Sequence, residues 1–112
     1  MNIQIYGKKR CFDTQKAERY FKERRIKYQF IDILRFGLSK GELKSVSSAI
    51  GINSLIDSKA KEYQILNLHM IGSPDIRAEI LMNNPSLYLT PVVRNGKKAT
   101  VGYKPEIWNE WD

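Results

Sequence analysis

Asn2-Ile3-Gln4-Ile5-Tyr6-Gly7, the loop Lys8-Lys9-Arg10-Cys11-Phe12-Asp13-Thr14 and Tyr28-Gln29-Phe30-Ile31-Asp32-Ile33 decide the fold between them. The first stretch alternates polar and apolar residues and meets a glycine, which predicts a short strand with Gly7 serving the turn. From about Asp13 to Arg25, Ala17, Tyr20 and Phe21 share one face while Lys16, Arg19, Lys22 and Arg25 share another. That spacing predicts an amphipathic helix. Tyr28 to Ile33 predicts a second strand. A strand, a helix and a strand in this order favour a parallel pair joined by a right-handed crossover.

Working outward, the middle of the chain reads as helical. Ser39 followed by Glu42 is a capping box that opens a helix running to about Ala49, with Gly51 beyond its end. Ile52 to Ile56 reads as a short turn, and Lys59 to Leu68 as another helix with Tyr63, Leu66 and Leu68 available for packing. Ser73-Pro74-Asp75 combines a cap, a first-turn proline and an acid at the positive helix end. Ile76, Ile80 and Leu81 give that helix an apolar stripe, and Asn83-Asn84-Pro85 stops it.

The end changes period. Pro91-Val92-Val93-Arg94 and Lys98-Ala99-Thr100-Val101 flank Asn95-Gly96-Lys97, and Asn-Gly is a strong hairpin signal. Pro105 opens a last helix, with Ile107 and Trp111 expected on one face and Trp108 beside them. The predicted fold is α/β: a four-stranded mixed sheet built as βαβ then ββα, the thioredoxin/glutaredoxin-like arrangement, with a helical insertion between the halves. The whole of 1–112 reads as one domain. Its core is expected at about 1–36 and 86–112, and its insertion at about 37–85.

Composition narrows the function. At 112 residues, 42% hydrophobic and 28% charged, the chain has an ordinary globular mix. No apolar run reaches membrane-spanning length, and Met1-Asn2-Ile3-Gln4-Ile5 lacks the order of a signal peptide, so a cytoplasmic setting is expected. One Cys excludes an intramolecular disulfide, and one Cys with one His cannot build a zinc site, so no metal is expected. Of the net charge of +7, residues 8–27 carry +6, from nine bases and three acids. The interleaved acids, with no aromatic or glycine interleaving, favour a solvated helix face over direct nucleic-acid binding.

Chemistry concentrates on Cys11, in the turn between the first strand and the first helix. Free amides at a helix start stabilise an anion, and Lys8, Lys9 and Arg10 lie just upstream. Both effects lower a thiol pKa, and the thiolate is the reactive form. The competing reading is a small buried hydrophobe. The dithiol motif Cys-X-X-Cys is absent because its fourth position is Thr14, which can cap the helix or donate to the Cys11 sulfur. Any turnover therefore needs an outside thiol. His69 stands alone and reads as a surface or packing residue.

Cys11-Phe12-Asp13-Thr14-Gln15-Lys16-Ala17 resembles the active-site loop of the arsenate reductase/Spx family. Asn84-Pro85-Ser86-Leu87-Tyr88-Leu89-Thr90-Pro91-Val92-Val93 resembles that family's "HP-x-L-hydrophobic-x-R-P-I-V" segment. Val101-Gly102-Tyr103 and the helix after it resemble the ending of the Spx branch. The resemblance implies a thioredoxin-like fold, a nucleophilic cysteine at Cys11 and a proline, often cis, at Pro91. It also implies a reductant: a glutathione-like thiol, or a protein thiol such as a glutaredoxin-like protein, with no bound cofactor. For the Spx branch it implies the C-terminal domain of the RNA polymerase alpha subunit as partner.

The departures are specific. Three arginines hold the oxyanion in arsenate reductases, and here their positions fall at Thr90, at Gly102 or Tyr103, and at Asp57 or Lys59. This argues against arsenate as substrate. Lys8, Lys59 and Arg94 remain candidates for an anion-binding or thiolate-stabilising wall, alongside Thr14.

Overall fold

The computed structural model describes residues 1–111. Strands β1 (Ile3–Gly7), β2 (Tyr28–Asp32), β3 (Val92–Asn95) and β4 (Lys98–Val101) form one sheet in the order β2-β1-β3-β4. β1 and β2 are parallel, with Ile5 opposite Phe30, and β3 runs antiparallel to both β1 and β4. With helix α1 (Phe12–Glu23) between the first two strands, this is the thioredoxin-like α/β arrangement. A helical run separates β2 from β3: α2 (Ile33–Phe36), α3 (Lys40–Ile50), α4 (Lys61–Ile65) and α5 (Pro74–Asn83), joined by 3-10 turns. α6 (Pro105–Trp108) closes the chain. No helix among the described residues is long and apolar enough to cross a membrane.

Alternation along the strands divides the core. Ile3, Ile5 and Val93 face α1 and pack with Ala17, Tyr20, Phe21, Trp108 and Trp111. Tyr6 and Val92 face the other way and pack with Ile33, Leu43, Val46, Leu87 and Tyr88. The first cluster is built from aromatic edges: Tyr20 and Phe21 each stand 5.2 Å from the Trp108 ring. The Trp108 indole donates to Thr100 Oγ1 at 2.8 Å, which satisfies its buried polar atom.

The element ends depart from the simplest pattern reading, each for a local reason. α1 ends at Glu23, two residues early, in a Schellman turn with Arg25 at φ +57. There Ile26 N–H donates to the Phe21 carbonyl and Arg25 N–H to that of Lys22. Ile33 belongs to α2 and not to β2, because the Asp32 side chain accepts from Leu34 N–H and starts a helix. The helical region therefore begins at Ile33, before the expected 37. The Ser39–Glu42 capping box is present, and α3 runs to Ile50. The helix expected from Lys59 to Leu68 shrinks to Lys61–Ile65. Asp57 captures Lys59 N–H before it, and Asn67 at φ +53 turns the chain after it.

Two apolar stripes are narrower than expected. On α5 Leu81 is buried but Ile76 is 49% exposed, and Arg77 beside it ties the start of the helix to the preceding turns. Its guanidinium donates to the carbonyls of Ile71 and Leu68 and to Asn53 Oδ1. α6 stops at Trp108, so Ile107 and Trp111 do not share a helical face. Trp108 and Trp111 are buried and Ile107 is exposed. In the hairpin Asn95 pairs with Lys98, so the two-residue loop is Gly96-Lys97, with Gly96 at φ +60. Positive φ at the first central residue only is the type II′ pattern, and Asn95 is its flanking strand residue.

A polar network crosses the insertion side of the sheet. Tyr6 donates its hydroxyl to Glu42, and Arg94 donates to Gln4 Oε1 at 3.1 Å. Burial first, then the Glu42 carboxylate, pushes the Tyr6 hydroxyl up to about 12, and burial with Glu18 raises Tyr28 to about 12. A folded pKa above the unfolded value of 10.0 contributes stability that is whole below pH 10 and lost as pH rises toward about 12. Urea midpoints measured from pH 9 to 12 are expected to fall over that window, less steeply for Tyr6→Phe.

Candidate functional site

Cys11 is the N-cap of α1, in extended conformation at φ −81 and ψ 121. A turn places it there: Cys11 N–H bonds the Lys8 carbonyl at 3.0 Å, and Gln15 Nε2 bonds that of Lys9 at 3.0 Å. Its own carbonyl accepts the first helical bond, from Gln15 N–H at 3.1 Å. An N-cap side chain faces the free amides of the first turn. The sulfur is half-buried and is the one free thiol of the chain.

Opposite Cys11 lies the segment that enters β3. The Thr90–Pro91 bond is cis, and the thiol donates to the Thr90 carbonyl at 3.7 Å. Gly102 N–H, beyond β4, donates to the Pro91 carbonyl at 2.8 Å. The turn that follows β1 and this segment are tied by Lys8. Its amine donates to the carbonyls of Ser86 and Tyr88 at 3.1 and 3.0 Å.

Burial pushes the Cys11 thiol up. It is outweighed by the hydroxyls of Thr14 and Thr90 and by the amides of Thr14 and Asp13, so the pKa lies below the ordinary thiol value. The lowering comes from short-range hydrogen bonding to the anion, the effect expected at a helix start. Lys8, first read as part of a cationic field, spends its amine on the two carbonyls. Lys9 and Arg10 are exposed.

Thr14 is completely buried, and its Oγ1 has no hydrogen-bond partner. It stands in the first turn of α1 and not at its cap, so it does not cap the helix. Gly7 makes room for it. A Cβ at Gly7 would lie 2.3 Å from Thr14 Cγ2 and 2.8 Å from Oγ1. Gly7 is the last residue of β1, paired with Asp32, so it serves close packing where a turn was expected.

The other candidates do not gather at the sulfur. Arg94 pairs with Gln4 in the sheet, three residues from the Gly7 end of β1, and its guanidinium bonds Gln4 and the Gly96 carbonyl. Three strand residues span about 10 Å. Lys59 is exposed on the turn after Asp57, its N–H held by Asp57 Oδ1 at 2.9 Å. His69 is exposed as well. Thr90 is the site residue that sequence reasoning passed over, noted there only as the absence of an arginine. Its place before Pro91 was the available signal.

The chain is similar to known proteins over nearly its whole length. An uncharacterized protein, YusI, of Bacillus subtilis (strain 168) is 28% identical over 98% of both chains. The global transcriptional regulator Spx of Listeria innocua is 26% identical over 93% of this chain and 82% of its own. The solved structure of an arsenate reductase from Vibrio cholerae superposes with a TM-score of 0.87 at 25% identity, covering 98% of this chain and 97% of that one. The pattern described as the ArsC family matches residues 6–111, the span from the end of β1 through Trp111, and the chain belongs to that family.

Proposed function

We propose that the chain is a thiol oxidoreductase that works through a single sulfur. Cys11 attacks an oxidised substrate, and an external thiol releases it; a glutathione-like compound or a glutaredoxin-like protein thiol would serve. The observation that carries this reading is the buried, unpartnered Thr14 hydroxyl beside a half-buried N-cap cysteine, a donor without an acceptor until the thiol ionises. Arsenate is not the proposed substrate. The positions that carry arginine in arsenate reductases hold Thr90, Gly102 or Tyr103, and Asp57 or Lys59, which lack the guanidinium fork suited to an oxyanion. A reducing compartment such as the cytoplasm suits a lone reactive thiol.

Alkylation by iodoacetamide between pH 5 and 10 tests the reading. The rate is expected to follow a thiolate with a midpoint below that of a free thiol, roughly 8.5. Thr14→Val, which keeps the shape and removes the donor, is expected to move the midpoint upward without unfolding the protein. A midpoint at or above the free-thiol value would end the proposal. By linkage, the lowered pKa adds folding stability that is present above the unfolded thiol's pKa and lost as pH falls through the lowered one.

Relatives named as transcriptional regulators over nearly the whole chain support a second reading, a regulator that binds the C-terminal domain of the RNA polymerase alpha subunit. Cys11→Ala separates the two: exchange requires the sulfur, whereas polymerase binding survives its loss.

A further inference from the structure

Three carbonyls spaced two residues apart meet the turn that carries Cys11. Those of Ser86 and Tyr88 accept from Lys8 Nζ at 3.1 and 3.0 Å, and that of Thr90 lies 3.7 Å from Cys11 Sγ. The residues between them bond elsewhere. The Leu87 carbonyl accepts from Asp57 N–H, and Leu89 N–H donates to the Leu55 carbonyl, each at 2.8 Å. Those two bonds support the segment without relating it to the sulfur. Among the described residues, the hydrogen bonds that join residues 8–11 to residues 86–90 come from Lys8 Nζ and from the thiol itself.

Lys8 thus touches both sides of the sulfur contact. Its carbonyl accepts from Cys11 N–H at 3.0 Å, which fixes the cysteine backbone, and its ammonium fixes the opposite segment. A charged donor makes stronger hydrogen bonds to carbonyl oxygens than a neutral one. Registration matters because Thr90 serves the sulfur in both of its states. Its carbonyl accepts from the thiol, and its hydroxyl favours the thiolate. A small tilt or displacement of the segment would lose either contact. Other charges lie apart from this arrangement. Lys9, Arg10 and Asp13 neighbour Cys11 in sequence and are exposed. Residues 85–91 bring one ionisable side chain, Tyr88, which is buried in the cluster on the insertion side of the sheet.

We propose that Lys8 is a positioning residue, acting on the Cys11 sulfur through Thr90 by locking the segment that carries Thr90 against the turn that carries the cysteine. The proposal rests on the thiol-exchange reading and deepens it. The ammonium is occupied by main-chain oxygens, and what reaches the sulfur is the Thr90 hydroxyl. A lysine acting by its field would favour the thiolate whether or not Thr90 kept that hydroxyl. A lysine acting by position has its effect only while the hydroxyl is there.

The pH profile of Cys11 alkylation by iodoacetamide, measured on the full-length protein, tests this in a double-mutant cycle of Lys8→Met and Thr90→Val. Lys8→Met keeps the aliphatic stem and removes the donors. Thr90→Val keeps the shape and removes the hydroxyl. Each single variant is expected to raise the midpoint by about half a pH unit to one unit, the size expected from one hydrogen bond. The double variant is expected to titrate no higher than the higher of the two singles. Lys8→Gln, also uncharged, takes the place of Lys8→Met if the urea midpoint shows the methionine variant to be poorly folded. A Lys8→Met shift of equal size with and without the Thr90 hydroxyl would overturn the proposal in favour of a direct effect of charge. An unmoved midpoint in Lys8→Met would overturn it outright. Either result, with the wild-type midpoint below that of a free thiol, leaves the exchange reading standing. A wild-type midpoint at or above the free-thiol value would overturn both.

Discussion

Cys11→Ser is expected to abolish thiol exchange and at the same time to make the protein more stable. The loss follows because a hydroxyl cannot form the mixed disulfide on which exchange depends. The gain follows from the place of the residue. Cys11 caps α1 in extended conformation and makes no side-chain cap hydrogen bond. Serine is among the preferred N-cap residues, and its oxygen would accept from the amides of Asp13 or Thr14. Thr14 Oγ1, unpartnered beside the thiol, would gain an acceptor as well. The increase should be about 1 kcal/mol, read as a higher urea midpoint at an unchanged slope. A variant equally or less stable would mean that the thiol already serves as the cap.

Gly7→Ala is expected to damage the site from beneath. The new methyl carbon would lie 2.3 Å from Thr14 Cγ2, closer than real Cβ contacts come, so something must shift. Gly7 is hydrogen-bonded in the sheet opposite Asp32, and Thr14 sits in the first turn of α1 with its side chain fully buried. Relief requires α1 to lift from the sheet or Thr14 to change rotamer. Overpacking of this kind costs about 1–3 kcal/mol or more. Either movement also takes the Thr14 hydroxyl from the sulfur, so Cys11 alkylation at neutral pH should slow while thermal stability falls. Denaturant midpoints and alkylation rates on the same sample check both. A variant with native stability would show that the helix start is looser than its packing implies.

Periodicity carried most of the fold. Alternation in Asn2–Tyr6, the amphipathic spacing of Ala17, Tyr20 and Phe21, and the Ser39–Glu42 box all produced the elements expected of them. Failures came where one side chain overrides a pattern. Asp32 converts the end of an alternating run into a helix start, and Asn67 accepts a left-handed conformation inside an apparently helical stretch. Such events leave no periodic trace.

In the site, the position of Cys11 was legible because strand, turn and helix follow one another in sequence. The partners of Lys8 and Arg94 were not. Both were chosen for charge near Cys11 or near Pro91, yet long side chains reach whichever acceptors the fold supplies. For Lys8 these are two carbonyls about eighty residues away in sequence, and for Arg94 a glutamine in the neighbouring strand. Thr90 was overlooked because one of its two contacts with the sulfur is made by a main-chain oxygen, which every residue type has.

The two packed clusters on opposite faces of the sheet have a consequence for this contact. The helix that begins at Cys11 is anchored among Tyr20, Phe21 and Trp108, whereas the segment bearing Thr90 is rooted through Leu87 and Tyr88 in the other cluster. Sulfur and carbonyl thus belong to two halves that meet across a seam, with the strands as the common rail. A repacking deep in either half, too slight to disturb its own side, alters the gap between them, so reactivity at Cys11 registers how well the halves are aligned.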